Sequence, residues 1–407
     1  MPLDLTARTP AGARLVGLAE TLSGHLAASA GAHDERAAYP VAALDALRAA
    51  GYLAAPVPPE LGGLGVASVH DVVVAASRLA RGDASVAIGT NMHLVAVLSM
   101  VRRRQIAEAA GDARRAAAFG SSLAAAVRDG VVLAAAISEH GQDLTRPATV
   151  ATRTERGWRV DGRKAFCTMS AAATHFYAAV TFADEAGAER YGYAQIAADA
   201  PGVRVHDDWD GLGMRASASH TVTFDRVELP AGALRGGFPA GDATGYMDRN
   251  LTAGLFHASA SLGIAEAAHA NALAALAGGN GAATHGRAGT LLADSELDLT
   301  AARGALGRAA MLIDDHHDRR PRDAGTATEI HALFAEAQAT KALVGEAAPR
   351  VVDRAMALAG GAAYRSGHPI ARALRDVRAI GFMHPLGANR AHEFVARAAL
   401  GRDPELH

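Results

Sequence analysis

The chain has 407 residues, half of them hydrophobic, with a formal net charge of −2. That length exceeds one ordinary core, so two or three packed substructures are expected in a soluble globular protein. Lys and Arg are scattered, which argues against the basic stripe that grips nucleic acid.

The start, MPLDLTARTPAGARLVGLAE, lacks the basic flank and unbroken apolar core of a signal peptide. No later apolar run is expected to be long enough for a membrane span, so the protein reads as cytosolic, without a membrane partner. The single cysteine, Cys167, can form neither an internal disulfide nor a metal site by itself and reads as a small buried hydrophobe.

Residues 1–130 read as a helical domain. LVGLAETLSGHLAA and AALDALRAAGYLA carry apolar residues at helical spacing, and Gly51 reads as a helix stop. The stretch APVPPELGGLGV, Ala55 to Val66, is too rich in Pro and Gly for a helix and reads as a structured loop.

The texture changes at VVLAAAISEHGQ, and residues 131–235 read as a β domain. GWRVDGRKAFCT, HFYAAVTFAD, RYGYAQIA and HTVTFDRVELP are short and rich in Val, Thr, Tyr and Phe, with a turn signal at Asp161 and Gly162. Long helical patterns return over 236–407, where four or five helices with short breaks predict an antiparallel bundle. AGGNGAATHGRAG, Ala277 to Gly289, reads as a polar loop. No repeat of solenoid period is present. The fold class is α+β, in the order helical domain, β-barrel-like domain, helical bundle.

Four stretches in this order resemble the acyl-CoA dehydrogenase superfamily. They are VPPELGGLG (Val57 to Gly65), WRVDGRKAFCT (Trp158 to Thr168), LGMRASASHTVTFDRVELP (Leu212 to Pro230) and LAGGAAYRSGHPIARALRDVR (Leu358 to Arg378). The resemblance implies a flavin held between the domains and across a subunit contact, in a homotetramer or homodimer. It also implies that Phe166 and Thr168 lie against the flavin, that Ser138 belongs to the loop cradling it, and that Gly360 and Gly361 form a turn near the cofactor.

Members that dehydrogenate thioesters need a carboxylate as general base. In most of them it follows the Arg-Asp pair by eight residues, and counting from Asp376 that place is His384. A second subgroup carries the base before a turn similar to LGIAE, Leu262 to Glu266; counting back reaches the vicinity of Ala253 and Gly254, again without a carboxylate. The family's pyrophosphate-binding Gln is replaced by Ala357, Arg287 has no nearby Phe, and the serine loop is shortened to SEHGQD, Ser138 to Asp143.

These departures resemble the family's two-component monooxygenases, which take reduced flavin from a separate flavin reductase and activate oxygen on it. Reduced FMN is therefore favoured, with FAD the alternative. His384 and His93 are the catalytic candidates, because a neutral imidazole can both donate and accept a proton. The first expected activity is reduced-flavin monooxygenation of a small organic substrate.

The alternative is an FAD-dependent acyl-CoA or acyl-ACP dehydrogenase with a non-standard base, either His384 or a displaced carboxylate, for which Glu139 and Glu266 are the nearest. The third is a non-catalytic scaffold. His93 also fits a core histidine, His140 a solvated residue as well as a catalytic one, and Arg375 with Asp376 a structural pair.

Overall fold

The structure, a computed structural model, describes residues 4–141, 143–277 and 286–406. Most of the predicted polar loop at 277–289, residues 278–285, therefore lies outside the described residues. The predicted α+β order is present: a helical block, a central sheet and a second helical block.

Helix α1 (Pro10–Arg36) begins where Thr9 accepts a hydrogen bond from the Gly12 amide and Pro10 takes a first-turn place that needs no amide donor. After α2 (Val41–Ala49), the Pro-Gly stretch folds back on itself, with the Gly65 amide donating to Val57 and the Val66 amide to Ala55. Gly63 is required there, because a Cβ would fall 2.0 Å from the Val57 carbonyl oxygen.

Helices α3 (Val69–Ala80), α4 (Ala84–Ala109) and α5 (Ala113–Arg128) start at Ser68, Asp83 and Asp112, each of which caps its helix with a side-chain oxygen. Contrary to the expectation from sequence, α4 does contain a window long and apolar enough to cross a bilayer, but 83% of it is buried inside the protein. Its hydrophobicity is that of a core helix.

The sheet contains β1 (Leu133–Ala136), β2 (Val150–Thr154), β3 (Gly157–Cys167), β4 (His175–Ala183), β5 (Glu189–Ala197), β6 (Val203–Val205), β7 (His220–Pro230) and β8 (Leu234–Pro239). The strand order is β6-β7-β3-β2-β4-β5-β8, with β1 parallel to β4. The long antiparallel pair β3–β7 loses register between Lys164 and Cys167. Within that irregularity Phe166 has φ 55°, so the strand turns its ring outward while Cys167 stays buried. The thiol is the small core hydrophobe that the sequence suggests, pushed up to about 12 by burial.

The second helical block holds α6 (Ala243–Arg249), α7 (Ala253–Ala277), α8 (Arg287–Arg319), α9 (Ala327–Ala359), α10 (Pro369–Asp376) and α11 (Ala388–Ala399). Helix α7 is apolar around its circumference because α9 packs on one side and α3 of the first block on another. The two helical blocks thus share one continuous core, while the sheet keeps a separate core built on Trp158, Phe176 and Phe224. The crevice left where α4, α7 and the segment after α10 meet the sheet is the place for a site.

Candidate active site

A cavity of about 470 Å³ opens in that crevice, lined by α4, the end of β3, the segment 209–219 that precedes β7, the first turns of α7 and residues of the stretch 375–384. Its mouth is apolar: Phe166, Leu212 and Phe382 are 60%, 73% and 86% exposed. Trp209 meets the Phe166 ring edge-on at 6.2 Å between centroids. Beneath Phe166, the Thr168 hydroxyl lies 3.0 Å from Ser219, which lies 2.7 Å from Ser217, and all three line the cavity. Ser138 lines the same wall, and its carbonyl accepts from the Ala165 amide, tying the shortened serine loop to β3.

His384 stands on the opposite side. Its Nε2 is 3.0 Å from Asn250 Oδ1 and 3.3 Å from the Tyr246 hydroxyl. Asn250 Nδ2 donates to the Tyr246 carbonyl at 2.9 Å, which leaves Oδ1 as an acceptor. His384 must therefore carry its proton on Nε2, and Nδ1 holds the lone pair. That Nδ1 has no hydrogen-bond partner among the described residues.

Burial, followed by the charges of Lys341 and Arg390, holds the imidazole neutral by pushing its pKa down to about 3. Lys341 also fixes the loop: its ammonium donates to the carbonyls of Met383, His384 (3.4 Å) and Leu386 (2.7 Å). Burial lowers that ammonium to about 7. His257 on α7 lines the cavity too, is likewise held neutral by burial, and leaves a buried Nδ1 without a hydrogen-bond partner.

The structure brings Ser138, Phe166, Thr168 and His384 together around this cavity. It does not bring His93 there. That ring is fully buried in α4, with Nε2 3.1 Å from the Leu53 carbonyl and Nδ1 accepting from the Leu133 amide at 3.1 Å. Both nitrogens are occupied by backbone, and burial lowers the pKa to about 4, so His93 is a core histidine joining α4 to β1.

Gly360 and Gly361 lie at the exposed C-terminal end of α9, outside the cavity, and Gly360 has φ 72°. Ala357 and Arg287 are also exposed. Glu139 is held 2.6 Å from the Lys164 ammonium and the Thr149 hydroxyl, and Glu266 pairs with Arg81 and Arg303; neither lines the cavity. His140 is exposed, 6.5 Å from the Phe166 ring.

Arg375 and Asp376 do not form the structural pair suggested by their adjacency. Arg375 pairs with Asp34 of α1, while Asp376 accepts from the Met214 amide at 2.6 Å. Each residue anchors α10 to a different neighbour.

The sequence reading missed Asn250, His257, Ser217, Ser219 and Trp209. One signal pointed near His257: counting back from the LGIAE turn reaches Ala253 and Gly254, and His257 is one helical turn further along. Asn250 carried no signal, since only the return of residue 384 to the end of α6 gives it a role.

A mostly apolar cavity with aromatic rings at its mouth, hydroxyls on one wall and neutral histidines on the other fits a flat heteroaromatic cofactor and a small substrate. Three family models match successive parts of the chain: acyl-CoA dehydrogenase N-terminal domain at 17–104, middle domain at 133–227 and C-terminal domain at 255–385. Fold and site define a flavin-dependent oxidoreductase. The chain belongs to the acyl-CoA dehydrogenase family.

It is similar to the amino sugar nitrososynthase DnmZ of Streptomyces peucetius, at 35% identity over 97% of this chain and 95% of the relative. It is also similar to the L-evernosamine nitrososynthase of a Micromonospora species, at 33% identity over 97% and 92%. The solved structure of KijD3 in complex with FMN and dTDP-3-amino-2,3,6-trideoxy-4-keto-3-methyl-D-glucose superposes with a TM-score of 0.87 at 31% identity, covering 99% of this chain and 97% of that one. These relatives, together with the missing carboxylate, place the chain with the flavin monooxygenases and not with the thioester dehydrogenases.

Proposed function

We propose that the protein oxidises the amino nitrogen of an amino-sugar nucleotide, using reduced FMN delivered by a separate reductase. The observation that carries this reading is the His384–Asn250 pair, which stands where the dehydrogenases need a carboxylate. Among the described residues lining the cavity, the one carboxylate is Asp210, and it is exposed. Carbon-acid chemistry therefore has no buried carboxylate base here.

Bound reduced flavin would supply two electrons to dioxygen, so that one oxygen atom goes to the substrate nitrogen and the other leaves as water. Phe166, Trp209 and Thr168 would hold its ring at the mouth and the hydroxyl wall. The substrate amine would meet His384 Nδ1, which can only accept a hydrogen bond in the tautomer that Asn250 imposes. A mostly apolar cavity lined by neutral imidazoles disfavours an ammonium, so the amine binds neutral and keeps its nucleophilic lone pair.

A second round on the hydroxylamine, with another dioxygen and another reduced flavin, would give a nitroso product and two waters. The same reading makes the protein a cytosolic homo-oligomer, the oligomer being checked by light scattering on the eluted protein.

The test supplies purified protein with FMN, NADH, a flavin reductase and an amino-sugar nucleotide, and follows substrate mass. Gain of one oxygen, labelled from ¹⁸O₂, is expected. Anaerobic reduction of tightly bound flavin by an acyl-CoA, with no oxygen transfer to any amine, would overturn the reading.

A further inference from the structure

Three arginines line the cavity: Arg249, Arg375 and Arg378. Arg375 is neutralised by Asp34 and Arg378 by Asp353 at 3.0 Å. Arg249, half-buried at the C-terminal end of α6, has no carboxylate partner among the described residues; its neighbour Asp248 is taken by Arg103. Its guanidinium lies over the Tyr193 ring, 5.5 Å from the centroid, and its charge opposes the rise that burial imposes on the Tyr177 phenol. Tyr177 and Tyr193 stack at 4.6 Å and both face the cavity.

A guanidinium held in place by an aromatic face and hydrogen-bonded to the Tyr177 phenol keeps further N–H donors that meet no carboxylate among the described residues. A partly buried charge of that kind calls for an anion. The next residue is Asn250, which orients His384, so the anion would sit next to the reacting end of the substrate.

We propose that Arg249, with the Tyr177 hydroxyl, is the anchor for a phosphate of the substrate, and that the substrate is a sugar carrying its phosphate close to the amine, as a nucleoside diphosphate sugar does. This rests on the reading that the cavity takes an amino-sugar nucleotide. It goes further by assigning the recognition of the phosphate to one named side chain. The anchor also explains how a cavity with an apolar mouth would select a charged substrate: the charge is read inside, and the amine is thereby placed against His384.

The test is calorimetric titration of thymidine diphosphate, thymidine and FMN onto the wild-type protein and onto Arg249→Gln, Arg249→Lys and, as a control at the same cavity, Arg378→Gln. The expected result is a loss of roughly tenfold or more in thymidine diphosphate affinity for Arg249→Gln. Arg249→Lys should recover part of it, while FMN affinity and Arg378→Gln stay at wild-type values.

Unchanged thymidine diphosphate affinity in Arg249→Gln, equal losses for thymidine and its diphosphate, a loss confined to FMN, or no binding of the diphosphate by the wild-type protein would each overturn the proposal. The binding readout is separate from turnover. A wild-type protein that binds the diphosphate through Arg249 but oxidises no amine refutes the N-oxidation and leaves the anchor standing. One that oxidises an amino-sugar nucleotide while Arg249→Gln binds it normally does the reverse.

Discussion

Helix α7 carries polar groups into two buried places, and they are built on opposite terms. Near its C-terminal half, Glu266 is held by Arg303 Nε at 2.7 Å and Arg81 Nε at 2.9 Å, with Arg78 at 3.5 Å, where α3, α7 and α8 meet. Near its start, His257 and the facing His384 are kept neutral, and among the described residues no hydrogen-bond partner meets Nδ1 of either ring. The first cluster binds its charges to one another between packed helices, away from the cavity. The second keeps its lone pairs unused at the expense of stability, as a site must.

The sharpest way to break this contrast is to remove one imidazole. His384→Ala is expected to lower coupled amine oxidation by about 10²–10⁴-fold while flavin binding and unfolding stay near wild type. Product formed per NADH consumed is the measurement, and full coupling in the variant would take His384 out of the mechanism.

The converse change belongs to the other cluster. Glu266→Ala strands Arg81 and Arg303 and is expected to cost about 3–5 kcal/mol in urea unfolding, with per-site activity retained in the folded fraction. Loss of activity without loss of stability would mean that Glu266 is not merely structural.

Asn250→Leu separates position from chemistry. Releasing the His384 tautomer should reduce kcat by roughly 10-fold, with the Tyr246 ring still in place and KM for oxygen unmoved. An unchanged kcat would show that Nδ1 need not be held as the acceptor.

The smallest expected effect is on pH. Burial pushes His93 down to about 4 and both His317 and His384 down to about 3 in the folded chain. The unfolded chain takes up those protons near pH 6.5, so it binds more protons than the native state between about 3 and 6.5. The stability of the neutral rings is thus present above about 6.5 and falls as the pH drops. Asp376, pushed up to about 7 by burial, acts the other way: the native state holds its proton while the unfolded state releases it near 3.9, so stability falls as pH rises towards 7. Chemical unfolding between pH 4 and 8 for wild type and Asp376→Asn should separate the slopes, with the variant losing the decline that Asp376 imposes between about pH 4 and 7.

Much of this was legible from sequence. Periodicity alone separates the helical blocks from the strands of 131–235, because a 3.6-residue and a 2-residue repeat bury different positions. The Arg-Asp spacing pointed to His384, and FCT to Phe166 and Thr168, because those residues sit at fixed distances from elements that set their direction. His93 misled for a physical reason: an imidazole among apolar helix neighbours looks the same whether its nitrogens meet a cavity or two backbone groups. In this fold they meet Leu53 and Leu133.

What the sequence determined by itself is therefore the order of elements, the family and the exchange of a carboxylate for His384. Only the tertiary structure decided that Asn250 orients that ring, that His257 faces it, and that Arg249 stands beside them without a carboxylate partner among the described residues. These are pairings between residues more than a hundred positions apart, or the lack of one. No local pattern encodes them; they exist only once α6, α7 and the segment after α10 have closed on the same cavity.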